Sequence, residues 1–365
     1  TLGLPGMMVT ASHNPKAYNG FKMVRKMPYL LSGDAGIQDV RKLVESEAFP
    51  APARKGQIAP QDLKEGFVQK VLSLIDVNAL VGAHESPLRV VVDTGNGMVG
   101  PILQEVYKRL PVQLVGLYLD PDGNLPNHGL DPLQPENRAE LQRRVVEEGA
   151  DIGFAFDGDG DRFFAIDDRG QFIPGDFLTA IMGSYLLEKR PGAKILYDVR
   201  ASWAVVDLIA AAGGVPLMER VGHAFIKARM SQEKALFAGE VTGHYYFGDF
   251  NYADSGIIPS LILLELLSKK GVKMSDLLAK LEARYFITGE INSTVADPKG
   301  RMLLLAEKYA DGKQHTMDGI SVTYPTWHFN VRASNTEPLM RLNLEATTRE
   351  EMERRRDEVL AVIRG

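Results

Sequence analysis

Short apolar runs end abruptly in polar, glycine-rich turns at four places along the chain. They are Gly6–Val9 before Thr10, 88–92 before Asp93-Thr94-Gly95-Asn96-Gly97, Ile152–Phe156 before a run of alternating acids and glycines, and 194–197 before Asp198. Unbroken apolar runs of this length fit strands of a largely parallel sheet covered on both faces. Helical patterns alternate with them: Pro135-Glu136 opens one that puts Leu141, Val145 and Val146 on one side, and 201–212 forms another, stopped by Gly213-Gly214. The order is βαβ, and in such sheets ligands gather at the carboxyl ends of the strands, where these polar turns lie.

The pattern changes toward the C-terminus. Segments 321–324, 327–331 and 340–346 read as strands and 348–363 as a charged closing helix, an α+β arrangement. The stretch 48–60, with Pro50, Pro52 and Pro60, reads as a linker. Residues 170–175 lead into a further α/β unit, and a new pattern begins at 287–292.

At 365 residues, 45% hydrophobic and 24% charged, the chain has the composition of a soluble protein of several domains. A net charge of −5 without a basic block argues against nucleic acid as a partner. The absence of cysteine excludes disulfides and thiolate metal sites and fits a reducing cytoplasm. The most apolar stretch, 257–267, contains Pro259 and Glu265 and is too short to span a bilayer, and 1–9 lacks the regions of a signal peptide. The expectation is a cytoplasmic protein without a membrane partner.

Asp157-Gly158-Asp159-Gly160-Asp161-Arg162 carries the most chemistry. Three carboxylates at every second position repel one another unless they converge on a divalent cation, and oxygen ligands suit Mg²⁺. Mg²⁺ commonly shares its shell with a substrate phosphate, which points to phosphoryl chemistry. A tight Asp-Gly turn is the structural alternative, and no Glu stands at the twelfth position to complete a calcium loop.

Three more loops add to it. Thr10-Ala11-Ser12-His13-Asn14-Pro15 places a serine in a strand-to-loop turn, as a nucleophile or as a cap; no Gly-x-Ser-x-Gly elbow surrounds it. Gly239-Glu240-Val241-Thr242-Gly243-His244 offers an acid, a hydroxyl and an imidazole, a set suited to a polyol or to a simple polar turn. Arg332-Ala333-Ser334-Asn335-Thr336-Glu337-Pro338 has the composition of a phosphate or carboxylate cradle, with helix capping as the alternative.

In order and wording these loops resemble the α-D-phosphohexomutases, most closely their bacterial phosphomannomutase/phosphoglucomutase branch, over nearly the whole chain. Asp93-Thr94-Gly95-Asn96-Gly97, Gly123-Asn124-Leu125-Pro126-Asn127-His128 and 221–227 add to the likeness. The resemblance implies four domains: 1–58, the remnant of a phosphoserine domain; 59–170, α/β with the metal loop; 171–284, α/β with the sugar loop; and 285–365, α+β with the phosphate loop. It implies that Ser12 carries the phosphoryl group and, with Asp157, Asp159 and Asp161, holds Mg²⁺, while Arg162 neutralises the transferring group. Glu240 and Thr242 would then bind sugar hydroxyls, and Arg332, Ser334, Asn335 and Thr336 the phosphate that does not react. Lys22, Arg200, His223 and His244 would bind substrate or move a proton.

The implied reaction interconverts hexose 1-phosphate and hexose 6-phosphate, of glucose or mannose, through a hexose 1,6-bisphosphate. Relative to the family pattern, the phosphoserine loop comes early, as in a first domain truncated at its N-terminus. Val241-Thr242 replaces Met-Ser or Gln-Ser, and Arg200 stands where Lys is common. A phosphoglucosamine mutase, a truncated inactive sugar-phosphate binder and a phosphatase using Asp157 as nucleophile are the rival readings.

Overall fold

The computed structural model describes residues 4–33, 35–49, 51–81, 86–334 and 338–365. The chain divides into two compact units, Thr1–Gly170 with Tyr246–Gly271, and Gln171–Tyr245 with Val272–Gly365.

In the first unit a small antiparallel sheet joins Gly6–Val9, Phe21–Lys26 and Tyr29–Leu30, with Val9 opposite Phe21 and Met8 opposite Lys22. A larger sheet runs Gln113–Leu117, Arg89–Asp93, Ile152–Phe156, Phe163–Ile166; the first three strands are parallel and the last antiparallel. All five residues of Ile152–Phe156 are buried, which is why that strand reads as an unbroken apolar run. The expected helix after Pro135 begins as a single 3₁₀ turn, Pro135–Asn137, and the α-helix proper is Ala139–Glu147. Leu141 and Val145 are buried as expected, but Val146 is 57% exposed. Four residues separate 141 from 145 and put them on one face, whereas a fifth turns the next side chain away.

The apolar stretch near 257–267 is the helix Ile257–Lys270, buried from Ile257 through Ser268. A helix apolar all round belongs inside a fold, and no helix among the described residues is long and apolar enough to cross a membrane. Its buried Glu265 accepts the Asp76 N–H at 3.0 Å and lies 3.2 Å from Lys269 Nζ. The ion pair and the N–H bond make that charge tolerable in the interior.

The second unit contains a parallel sheet in the order Val215–Glu219, Lys194–Asp198, Phe237–Gly239, flanked by helices Gly175–Lys189, Trp203–Ala211 and His223–Glu233. Ser202 caps the second of these by accepting the Ala204 N–H. The C-terminal portion is an antiparallel sheet, Phe286–Ile287, Leu339–Ala346, Trp327–Ala333, Ile320–Thr323, Lys313–His315, with Ile291–Thr294 also paired to Leu339–Ala346. Its core gathers Trp327, Phe329, Val331, Leu342 and Leu344 with Leu305 and Val359 of the helices Pro298–Lys308 and Arg349–Arg364. Each such side chain contributes roughly 1.5–3 kcal/mol by leaving water. The α/β units followed by an α+β portion are the fold class expected from the sequence.

Candidate active site

Ser12 follows the strand Gly6–Val9 and has φ 55°, a left-handed conformation that costs a residue with a β-carbon on the order of 1 kcal/mol. The Ser12 N–H donates to Thr10 Oγ1 at 2.8 Å, and that hydroxyl donates in turn to Asp159 Oδ2 at 2.7 Å. Ser12 Oγ lies 3.1 Å from His13 Nδ1 and donates to Asp157 Oδ2 at 3.3 Å. The serine loop and the acid loop therefore meet. Their approach explains a glycine: a β-carbon on residue 158 would stand 2.4 Å from the carbonyl oxygen of Ser12.

Asp157, Asp159 and Asp161 each bring an oxygen within 4.8 Å of the others, and together they form an acidic cluster able to hold a metal ion. Two cations answer them. Lys22, on the strand Phe21–Lys26, donates to Asp159 at 2.9 Å and also to Asp161. Burial works against its charge, and Asp161 and Asp159 outweigh it, holding the ammonium above its ordinary range. Arg162 donates from Nε to Asp157 Oδ2 at 2.8 Å, from its N–H to Oδ1 at 3.1 Å, and from Nη1 to Asp131 Oδ1 at 3.4 Å. Burial and the neighbouring Asp161 push the Asp157 carboxyl up to about 6, with Arg162 opposing them.

The cluster is incompletely satisfied. Asp159 Oδ1 and Arg162 Nη2 are buried with no hydrogen-bond partner among the described residues. An oxygen-seeking cation fits the first and an anion the second. Asp131, which braces Arg162, gave no sequence signal, because a lone acid in a proline-bounded loop resembles any turn.

In the second unit Arg200 is fully buried. Its Nε and Nη2 donate to the two Asp198 oxygens at 2.9 and 2.8 Å, a bidentate pair. Burial opposes both charges, and the pair outweighs it: Asp198 is held below the usual carboxylate range and Arg200 above the usual guanidinium range. Asp198 Oδ2 also accepts the Val241 N–H at 2.9 Å, which fixes the loop 239–244. Arg200 Nη2 reaches Thr242 Oγ1 at 3.5 Å and lies 3.8 Å from Glu240 Oε2. Glu240 is buried, and His244 Nδ1 is 4.0 Å from its Oε1. The rings of His223 and His244 lie side by side, centroids 4.4 Å apart and tilted by 57°.

Arg332 stands opposite Arg341 in the antiparallel register. Glu290 is shared among three guanidiniums, at 3.4 Å from Arg200, 3.6 Å from Arg332 and 3.9 Å from Arg341. Burial and then Arg200 hold Arg332 below the usual guanidinium range. The Nε atoms of Arg332 and Arg341 are buried without a hydrogen-bond partner among the described residues. Asp318 also lies 3.9 Å from Arg332, so the charges here are largely paired, and it is the unmatched guanidinium N–H groups that suit an anion. The Ser334 N–H donates to the Leu339 carbonyl at 2.8 Å, while Asn335 and Thr336 lie outside the described residues. Glu290 and Arg341 escaped the sequence reading, since only the strand register brings them to Arg332.

Family models named phosphoglucomutase/phosphomannomutase match the chain in four parts: alpha/beta/alpha domain I over residues 3–51, domain II over 65–170, domain III over 174–285 and the C-terminal domain over 290–362. A phosphomannomutase of Salmonella montevideo is 42% identical over 350 residues, covering 93% of this chain and 76% of that protein. A protein named phosphohexose mutases from Xanthomonas campestris is 40% identical over 365 residues, covering 99% of this chain and 80% of its own. Among solved structures, a phosphoglucomutase/phosphomannomutase family protein of Burkholderia thailandensis superposes with a TM-score of 0.87 at 34% identity, over 98% of this chain and 75% of that one.

Proposed function

The chain belongs to the phosphoglucomutase/phosphomannomutase family and is a hexose phosphate mutase, an intramolecular phosphotransferase, and on that premise we propose that Ser12 Oγ carries the phosphoryl group it transfers. The observation that carries this reading is the position of Ser12 Oγ, 3.3 Å from Asp157 within a three-carboxylate cluster.

In the first half-reaction the bond between phosphorus and Ser12 Oγ breaks as a new one forms to a free hydroxyl of a glucose or mannose phosphate; that hydroxyl passes its proton to a neighbouring base, and Ser12 Oγ takes one up as it leaves. A hexose 1,6-bisphosphate results. After the sugar reverses, its other phosphoryl group returns to Ser12 Oγ, which gives up its proton, and the sugar oxygen left behind regains one. A phosphoryl group in flight needs positioning and neutralisation more than covalent assistance. Arg162 Nη2, buried and unmatched among the described residues, is oriented by Asp157 and Asp131 to take one of its oxygens. Lys22 supplies a second positive charge; held as an ammonium by Asp159 and Asp161, it is a poor base.

Asp157, Asp159 and Asp161, with an oxygen of the phosphorylated Ser12, would hold Mg²⁺, and the unmatched Asp159 Oδ1 supports the fit. When bound, Mg²⁺ supplies charge neutralisation to the phosphoryl oxygens. Glu240 and Thr242 accept and donate bonds to sugar hydroxyls, with Arg200 holding their loop. His223 and His244 are the groups suited to move the hydroxyl proton near neutral pH. Arg332, together with Ser334, Asn335 and Thr336, takes the phosphate that is not reacting.

Relatives named phosphomannomutase and phosphohexose mutases favour this reading over phosphoglucosamine turnover, an inactive binder or an Asp157 phosphatase. Intact-mass analysis tests it. One phosphoryl group on the wild type and none on Ser12→Ala, with glucose 1-phosphate isomerised only by the wild type, is the expected result. Phosphate on Ser12→Ala, or turnover by it, would overturn the reading.

A further inference from the structure

Two sequence landmarks, the turn 93–97 and the loop ending at His128, have no part in the chemistry above, yet a buried ion pair joins them. Asp93 ends the strand Arg89–Asp93 and is 2% exposed; its Oδ1 accepts the Gly95 N–H at 2.8 Å. His128 Nε2 lies 3.0 Å from Asp93 Oδ2 and 3.2 Å from Oδ1, while His128 Nδ1 lies 2.8 Å from the Gly129 carbonyl oxygen. A carbonyl only accepts, so Nδ1 carries hydrogen. The ring's other nitrogen faces a carboxylate, so it too is a donor and the ring is an imidazolium.

The other groups facing the ring agree. Tyr118 packs edge-on against it at 5.4 Å and donates to Glu140 at 2.5 Å, and Arg143 stands beyond, 3.7 Å from Glu140. Burial works against the ring's charge, and Asp93, followed by the Gly129 carbonyl and Glu140, raises its pKa above the ordinary histidine value.

The pair ties together two loops that both press on Gly158, the residue between the first two acids of the cluster. From the Asp93 side, the Met98 N–H donates to the Gly158 carbonyl at 2.8 Å, and a β-carbon on Gly97 would stand 2.8 Å from that oxygen. From the His128 side, Leu130 would stand 2.6 Å from a β-carbon on Gly158, and Asp131 braces Arg162 at 3.4 Å. We infer that His128, as an imidazolium paired with Asp93, is a positioning residue that sets the geometry of the acid loop and thereby its affinity for a divalent cation. The inference rests on the reading of Asp157, Asp159 and Asp161 as metal ligands.

Nitrogen NMR of the imidazoles in the metal-free protein is the first test and needs no variant to fold. Hydrogen on both His128 nitrogens at pH 7, titrating above the ordinary value of about 6.5, is expected; a neutral ring at pH 7 overturns the inference. Calorimetric titration with Mg²⁺ at pH 7 is the second. His128→Ala and Asp93→Asn should each bind Mg²⁺ about 10-fold more weakly, the lower end for groups that support metal ligands. They should lower kcat and leave the KM for glucose 1-phosphate unchanged. In the wild type alone, Mg²⁺ affinity should fall as pH rises through the His128 titration seen by NMR. Equal Mg²⁺ affinity in wild type and variants overturns the positioning role. Absence of Mg²⁺ binding to the wild type overturns the metal reading itself, and this inference with it.

Discussion

Ser12 Oγ donates a hydrogen bond to Asp157 Oδ2 at 3.3 Å, although 145 positions separate the two residues. The contact joins a half-buried hydroxyl to a carboxylate with no exposed surface, and it sets where a phosphoryl group on the serine would sit among the acids. Ser12→Ala deletes only one oxygen at a half-buried position, so folding should be unchanged. Mutase turnover should fall by at least about 10⁴-fold, as for loss of a nucleophile elsewhere. Coupled glucose 6-phosphate detection, with circular dichroism as the control for folding, checks both.

Asp159→Asn removes the charge from a carboxylate whose Oδ1 is buried and unmatched among the described residues. Mg²⁺ added at about 100 times its dissociation constant should stabilise the wild type by about 2.7 kcal/mol, the mass-action value. The same addition should barely move the melting temperature of the variant. Scanning calorimetry with and without Mg²⁺ measures the difference, and EDTA should return the wild type to its metal-free value.

The guanidiniums around Glu290 give opposite expectations for opposite changes. Arg332→Ala should raise the KM for hexose phosphate by about 10- to 100-fold, the cost of one or two charge-assisted bonds. Glu290→Gln removes a competing carboxylate from Arg332 and Arg341, at 3.6 and 3.9 Å, while Arg200 stays paired with Asp198. It should tighten inorganic phosphate binding and lower thermal stability. Fluorescence-detected phosphate titration and thermal melts separate the two effects.

Asp176 is buried at the start of the helix Gly175–Lys189. Burial and the nearby Glu345 raise its carboxyl to about 6 despite N–H bonds from Ser202 and Phe177. Because the folded-state value lies above the unfolded one, ionisation opposes folding. The penalty is complete above pH 6 and relieved as pH falls from 6 toward 4. Asp176→Asn removes the charge but keeps only one of the two oxygens that accept the Phe177 and Ser202 N–H groups, so its stability relative to the wild type should be more favourable at pH 7 than at pH 4, by about 2 kcal/mol. Urea melts at the two pH values would register the difference.

Much of this is legible in the sequence. Ile152–Phe156 reads as a buried strand because both its faces are covered, and the alternation of acid and glycine after it reads as a ligand loop because the spacing is local. Legibility ends where tertiary register decides. Arg341 looks like an ordinary strand residue until it stands opposite Arg332, and Glu290 like a turn acid until three guanidiniums converge on it. Asp198, two residues before Arg200, is the local sign of their bidentate pair, because an acid at a strand end can reach the basic side chain two positions on. Val146 shows the same limit on a smaller scale, one helical position away from the buried face.

The first unit is discontinuous: its buried helix Ile257–Lys270 is encoded after the segment 171–245 that belongs to the second unit. On a ribosome adding roughly 5–20 residues per second, about 5–20 s separate completion of residue 170 from delivery of that helix. Throughout that interval the 3₁₀ turn Val77–Val81 and the strand Phe163–Ile166, which pack against the helix, lack it. The nascent chain is then at its most susceptible to chaperone capture and proteolysis, and a stop codon placed between 170 and 257 should yield an aggregating fragment rather than a folded unit.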